Sequence, residues 1–253
     1  DRLPTGVGAD TATLTGTASD LHHGTDTQTV TVTTSPATPA VAAALSSANI
    51  RLPAVATVVT LSGWSFPSWL DLAWLHLPNI SQQFGGMFTQ APYTMAPLTY
   101  PTSSGISSIR DGVKMLDAKL MSTSGDIIVE GHSLGAQICS RWMRQYAADP
   151  VRAALASRVT FLLTGNPLRS SQGGGGKAIG MLEADGAVGK PTPTTTPWSI
   201  IDVARRWDGW ADWPADTTNA LAVRNATAGI NYFHSRYDVV DLYDAQNTVW
   251  RDG

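Results

Sequence analysis

The chain has 253 residues, a length that suits one α/β domain with a sizeable core, or such a domain with a short extension. Its formal charge is −3 and only 15% of its residues are charged, so no basic footprint points to nucleic acid and no polybasic run points to anionic lipid. The single cysteine, Cys139, cannot form an internal disulfide, and no stretch reaches the roughly twenty apolar residues of a membrane span.

The chain opens at Asp1 with no charged n-region and no apolar signal core, so a targeting segment is expected either to have been removed or never to have existed. Residues 1–45 read as a Thr/Ala-rich extension and 46–253 as the main domain. Within the extension, Gln28-Thr-Val-Thr-Val-Thr33 is a strand-like piece. His22 and His23 lie there without the Cys/His partner spacing of a metal site, so they read as loop histidines, and no metal or cofactor is expected. A short helix is expected over Ala40 to Ala48.

Val55-Ala-Thr-Val-Val-Thr-Leu-Ser-Gly63 is a β-branched run ending in glycine and reads as the first core strand. Ligands gather at the carboxyl ends of such strands, which places Ser62, Gly63 and Trp64 near a site. Phe66 to Pro78 is rich in Trp and Leu and apolar on two helical faces, Trp69 on one and Trp74 on the other. It is either a buried helix or a flap that touches an apolar ligand, and in the second case Trp69 and Trp74 bind substrate. Met95 to Pro101 reads as a strand stopped by proline. Ile106, Ile109, Val113, Leu116 and Leu120 recur at helical spacing and must bury their stripe against a sheet.

Asp126-Ile-Ile-Val-Glu-Gly-His-Ser-Leu-Gly-Ala-Gln137 follows at once. Its three consecutive β-branched residues suit a strand covered on both faces, and Ala136, Ile138, Cys139, Trp142 and Met143 then recur at helical spacing. A Gly-x-Ser-x-Gly between such a strand and such a helix is the nucleophile elbow of α/β-hydrolases, with Ser133 as its serine. Strands alternating with helices call for a parallel sheet with crossover connections.

Ala156 to Gly165 is the next strand. Beyond it, Ser170-Ser-Gln-Gly-Gly-Gly-Gly176 and Lys190-Pro-Thr-Pro-Thr-Thr-Thr-Pro197 read as flexible surface chain at a strand end, where active-site loops belong. Trp198 to Trp207 gives a further strand, Asn219 to about Ala228 a helix, and Ile230 to Tyr237 a last short strand running into His234. A polar tail follows.

A serine hydroxyl needs a base to take its proton, and the base needs a carboxylate that holds its tautomer. In the hydrolase order of serine, acid, histidine, His22, His23 and His76 come too early, and His132 is too close to Ser133 in sequence to reach its Oγ. His234 is left as the base. Asp208 follows a strand and Asp212 lies four residues later; the firmer seat of a strand end favours Asp208. Asp202 lies mid-strand, and Glu183 and Asp185 lie in flexible chain. The amide of Leu134, with that of Gly63 or Trp64, would form the oxyanion hole.

Together, the elbow, Thr164-Gly-Asn-Pro167, Arg206-Trp-Asp-Gly-Trp-Ala-Asp-Trp-Pro214 and Tyr232-Phe-His-Ser-Arg-Tyr237 resemble the PE-PPE carboxyl-terminal hydrolase domain of mycobacteria and their phages, a cutinase-like branch of the α/β-hydrolases. The likeness runs from about Val55 to Tyr237. It implies an α/β-hydrolase fold with a central, mostly parallel sheet and helices on both faces. It also implies a serine esterase or lipase acting on acyl lipid or mycolyl-type esters through Ser133, Asp208 and His234, extracellular or associated with the cell envelope, or with a virion if phage-encoded. The chain departs from the pattern in showing no recognisable PE or PPE amino-terminal segment and no cutinase-type disulfide. Acyl transfer, or a non-catalytic tail or envelope module on the same fold, would also fit these residues.

Overall fold

The computed structural model describes residues 11–19, 25–33, 50–64, 79–102, 108–170, 174–183 and 185–247. Contacts divide the chain into two units, residues 1–43 and 44–253. In the first, β1 (Thr11–Ser19) pairs antiparallel with β2 (Thr25–Thr33), Thr15 opposite Thr29. The strand expected at Gln28 is the second half of this longer one. The helix expected over Ala40 to Ala48, the two histidines His22 and His23, and the segment holding Trp69, Trp74 and His76 lie outside the described residues.

The second unit is built on a parallel sheet of five strands in the order β4-β3-β5-β6-β8. These are β3 (Ala56–Leu61), β4 (Tyr93–Pro97), β5 (Ile127–His132), β6 (Val159–Thr164) and β8 (Ser199–Val203), every pair parallel. Short α1 (Gln83–Gly86) precedes β4; α2 (Ser108–Ser122) and α3 (Leu134–Tyr146) flank β5 in sequence; the single turn α4 (Pro150–Ala153) precedes β6.

Alternation along the strands divides the core. Val59, Leu61, Ile127, Val129, Phe161 and Leu163 face α2 and α3, which bury Ile109, Leu116, Ile138 and Trp142 against them. Val58, Ile128 and Leu162 face the other way and are covered by Phe84, Phe88 and Leu242. Among the described residues, long helices therefore cover one face, and short turns and the segment around Leu242 cover the other. The seat of α3 on the sheet requires glycine at one point. A Cβ at Gly135 would stand 2.1 Å from the Leu61 carbonyl oxygen.

One expectation is qualified and one fails. The stretch after β6 is surface chain, with Lys190, Pro191, Thr194, Thr195 and Pro197 exposed, but several of its described residues are anchored inward. β7 (Gly174–Gly175) pairs antiparallel with β9 (Trp213–Pro214). Asn166 Nδ2 donates to Thr192 Oγ1 at 2.7 Å, and Thr192 Oγ1 lies 2.8 Å from the buried Ser140 Oγ of α3. Glu183 and Asp185 turn inward onto Arg141. Composition signalled a loop, but its polar side chains meet buried partners that sequence distance hides. Ile230 to Tyr237 is not a strand: helix α5 (Ala220–Tyr232), capped by Asn219 Oδ1 accepting from the Ala222 amide at 3.0 Å, takes in its first three residues, and the rest is turn. Ala226 and Gly229, three residues apart, are the buried face that keeps the chain helical. Within the tail that follows, Leu242 is buried.

Glu130 on β5 is fully buried, and neither carboxyl oxygen has a hydrogen-bond partner among the described residues. Burial pushes its pKa well above the ordinary 4.5. A carboxyl raised in the folded state gives stability that is full below its unfolded pKa and is lost as pH rises towards the folded value. Glu130→Gln should therefore match the parent in melting temperature near pH 4 and gain on it above about pH 5, by up to about 1.4 kcal/mol per pH unit. A difference constant from pH 4 to pH 8 would contradict this.

Candidate active site

The elbow is where the sequence places it. Ser133 sits between β5 and α3 at φ 55° and ψ −111°, a conformation rare for a residue with a side chain and one that projects Oγ from the turn. Its amide donates to the Thr164 carbonyl of β6 at 3.0 Å, which pins the turn to the neighbouring strand.

Asp208 and His234 reach Ser133 through α5. Gly209 and Gly229 let the helix lie directly on the turn after β8: a Cβ at Gly229 would stand 1.6 Å from the Trp207 carbonyl oxygen, and one at Gly209 would stand 1.9 Å from that of Ala226. This contact fixes Asp208 on one side and, just past the end of the helix, His234 on the other. His234 Nε2 lies 2.8 Å from Ser133 Oγ. His234 Nδ1 lies 3.0 Å and 3.1 Å from the two Asp208 oxygens. Asp208 sits five residues past β8 rather than at the strand end itself, and its rigidity comes from the α5 contact.

Asp208 is fully buried and holds further donors. The Trp210 amide donates to Oδ1 at 3.0 Å and the Tyr237 phenol to Oδ2 at 2.7 Å. Burial raises the Asp208 pKa, but its bonds to His234 and Tyr237 and the charge of His234 outweigh this and leave it below the ordinary 3.8. Asp212, the rival acid, accepts instead from the Trp207 amide at 3.1 Å. Asp202 accepts from Asn166 at 2.8 Å, and the acids Glu183 and Asp185 are held by Arg141.

The predicted oxyanion donors divide. Leu134 opens α3, and the first amides of a helix have no intrahelical acceptor. Gly63 adjoins the serine, since a Cβ there would stand 3.1 Å from Ser133 Cβ and 3.6 Å from Oγ. Trp64 is half exposed. A groove of about 430 Å³ opens beside this loop, lined by Ser62, Gly63, Ile80, Met95, Leu98 and Tyr100 among others. Among the described residues no group of His, Cys, Asp and Glu could hold a metal ion, and no helix is long and apolar enough to cross a membrane.

Sequence reasoning missed Tyr237. Its position three residues after His234 was the available signal, but only the fold turns a phenol towards the carboxylate. Its pKa is driven well above the ordinary 10.0 by burial first and then by the Asp208 charge, so it remains a donor.

The parallel strand order with its elbow defines an α/β-hydrolase fold. The chain belongs to the PE-PPE domain family, which matches residues 84–251. It is similar to "Esterase PE16" of Mycobacterium tuberculosis, 31% identical over 163 residues, or 61% of this chain and 30% of that protein. It is also similar to "SL1278 acyltransferase Chp1" of the same organism, 28% identical over 166 residues, or 62% of this chain and 40% of that one. The chain thus spans well under half of either relative. Among solved structures, a cutinase-like protein from Cryptococcus sp. matches with a TM-score of 0.42 and 15% identity over 74% of this chain and 95% of that one. The fold assignment rests on strand order and the elbow rather than on that likeness.

If Tyr237 orients the acid, Tyr237→Phe should lower ester-hydrolysis kcat by about ten- to a hundredfold, the worth of one hydrogen bond to a charged group, with KM little changed. Steady-state kinetics beside a melting curve would check this; a kcat equal to the parent's would remove Tyr237 from the site.

Proposed function

We propose that the chain is a carboxylic ester hydrolase that works through an acyl-enzyme. The observation that carries the reading is the continuous hydrogen-bonded line from Ser133 Oγ through His234 to a buried Asp208. Ser133 Oγ attacks the ester carbonyl carbon as His234 Nε2 takes its proton; His234 then gives that proton to the departing alkoxide oxygen. Water repeats the sequence on the acyl-enzyme and frees the acid and Ser133. Asp208 keeps Nδ1 protonated and stabilises the imidazolium, and the amides of Leu134 and the Gly63 loop face the oxyanion.

The substrate class in this reading is a lipid or other acyl ester, with the acyl chain entering the groove beside Gly63 along Ile80, Met95 and Leu98, whose lining also carries Ser62, Asn79 and Thr99. An extracellular or envelope setting, or a virion, is part of the same proposal. Division into an extension (1–45) and a catalytic domain (46–253) is proposed with it. Trp69 and Trp74 remain proposed substrate contacts.

An active-site phosphonate should add once to the protein, read by intact mass, and Ser133→Ala should abolish the adduct. Turnover of p-nitrophenyl esters should fall by roughly four or more orders of magnitude in Ser133→Ala and His234→Ala. No adduct and no turnover would favour a non-catalytic module.

Acyl transfer is the second reading, favoured by the relative named as an acyltransferase. An acyl-enzyme can be resolved by an alcohol as well as by water. Hydrolysis predicts that an added alcohol acceptor leaves free acid as the main product across a series of acyl lengths. A new ester as the main product would move the assignment to transfer.

A further inference from the structure

His132, directly before Ser133, is fully buried beneath the site and has no part in the proposed proton path. Its ring lies 5.0 Å from the His234 ring at 35°, and 5.6 Å from the ring of Tyr237, the donor to Asp208, at 64°. A Cβ at Gly165 would stand 3.0 Å from His132 Cε1 and 2.9 Å from His234 Cε1, so both imidazoles share one slot that a larger residue would close. Gly63 borders the same ring, a Cβ there standing 3.2 Å from His132 Cδ2.

Among the described residues the ring has one hydrogen-bond partner: His132 Nδ1 lies 3.0 Å from Thr164 Oγ1, which in turn lies 2.8 Å from Gln83 Oε1. Nε2 has none, so protonating both nitrogens would create a buried cation with one N–H unpaired. Burial, with His234 adding to it, pushes the His132 pKa down to about 3 despite the opposing Asp208 charge.

We propose that His132 is a positioning residue: a permanently neutral aromatic platform that holds His234 in line between Ser133 and Asp208. The proposal rests on the ester-hydrolase reading above. When His234 takes the Ser133 proton it becomes a cation, and the ring beside it is one that attracts a cation rather than one that carries a charge. Thr164 ties platform and nucleophile together, since its side chain anchors His132 and its carbonyl accepts the Ser133 amide.

His132→Phe keeps an aromatic ring in the slot and His132→Leu removes it at similar bulk. The phenylalanine variant should retain kcat within about threefold, and the leucine variant should lose about ten- to thirtyfold in kcat with KM unchanged. A second readout needs no substrate: the far-downfield proton resonance of the His234 Nδ1–H bond to Asp208. It should persist in the parent and His132→Phe and broaden or vanish in His132→Leu. The proposal is overturned if His132→Leu keeps both kcat and the resonance, or if both variants lose them equally. Should His132→Leu fail to fold, Thr164→Val removes the anchor and leaves the ring; an unchanged resonance and kcat in that variant overturns the proposal as well. A parent with an intact resonance and no ester turnover would sink the hydrolase reading alone.

Discussion

Two backbone contacts, each possible only because a side chain is missing, set the geometry of this site. Helix α3 reaches the sheet where Gly135 lies on the Leu61 carbonyl, and that close seat turns the chain sharply enough at Ser133 to give it a positive φ. Helix α5 reaches the turn after β8 where Gly229 lies on the Trp207 carbonyl. The first contact places Ser133 and the second places both Asp208 and His234. Close-packed interiors transmit displacement rather than absorb it, so a methyl group at either contact would separate Ser133 from His234.

The interior around the site is arranged by charge as well as shape. Asp208 is buried with donors from His234, Trp210 and Tyr237, which together overcome its desolvation. On β5, Glu130 has no hydrogen-bond partner among the described residues and His132 has one, Thr164, and burial drives each towards its neutral form. Asp208 is thus supported as an anion beside His234, while the ring of His132, 5.0 Å from that of His234, is kept uncharged.

The chain after β6 shows how the rim of the site is held. Thr192 bridges the loop to Ser140 of α3 and to Asn166, while Arg141 draws in Glu183 and Asp185. Lys177 lies 3.8 Å from the centre of the Trp213 ring, beside the β7 and β9 pair, and its amide donates to the Trp210 carbonyl. Trp210 in turn borders His234, its ring centre 6.3 Å away. The described part of this segment is thus tied at Asn166, Lys177, Glu183, Asp185 and Thr192 to the chain around His234 and to α3.

Local order was legible in the sequence because periodicity and turn chemistry act over a few residues. The apolar run of β5, the helical stripe of α2 and the Gly-x-Ser-x-Gly turn each declare themselves within one window, and with them Ser133 and the parallel sheet. Chain order then left His234 as the only downstream histidine. Where partners lie far apart in sequence, the tertiary structure decided. It set Asp208 rather than Asp212 within hydrogen-bond reach of His234, and it made residues 230–232 helical because Ala226 and Gly229 had a turn to pack against. Tyr237, His132 and the anchored loop became visible only there, since their roles come from burial and long-range hydrogen bonds, which no local pattern encodes.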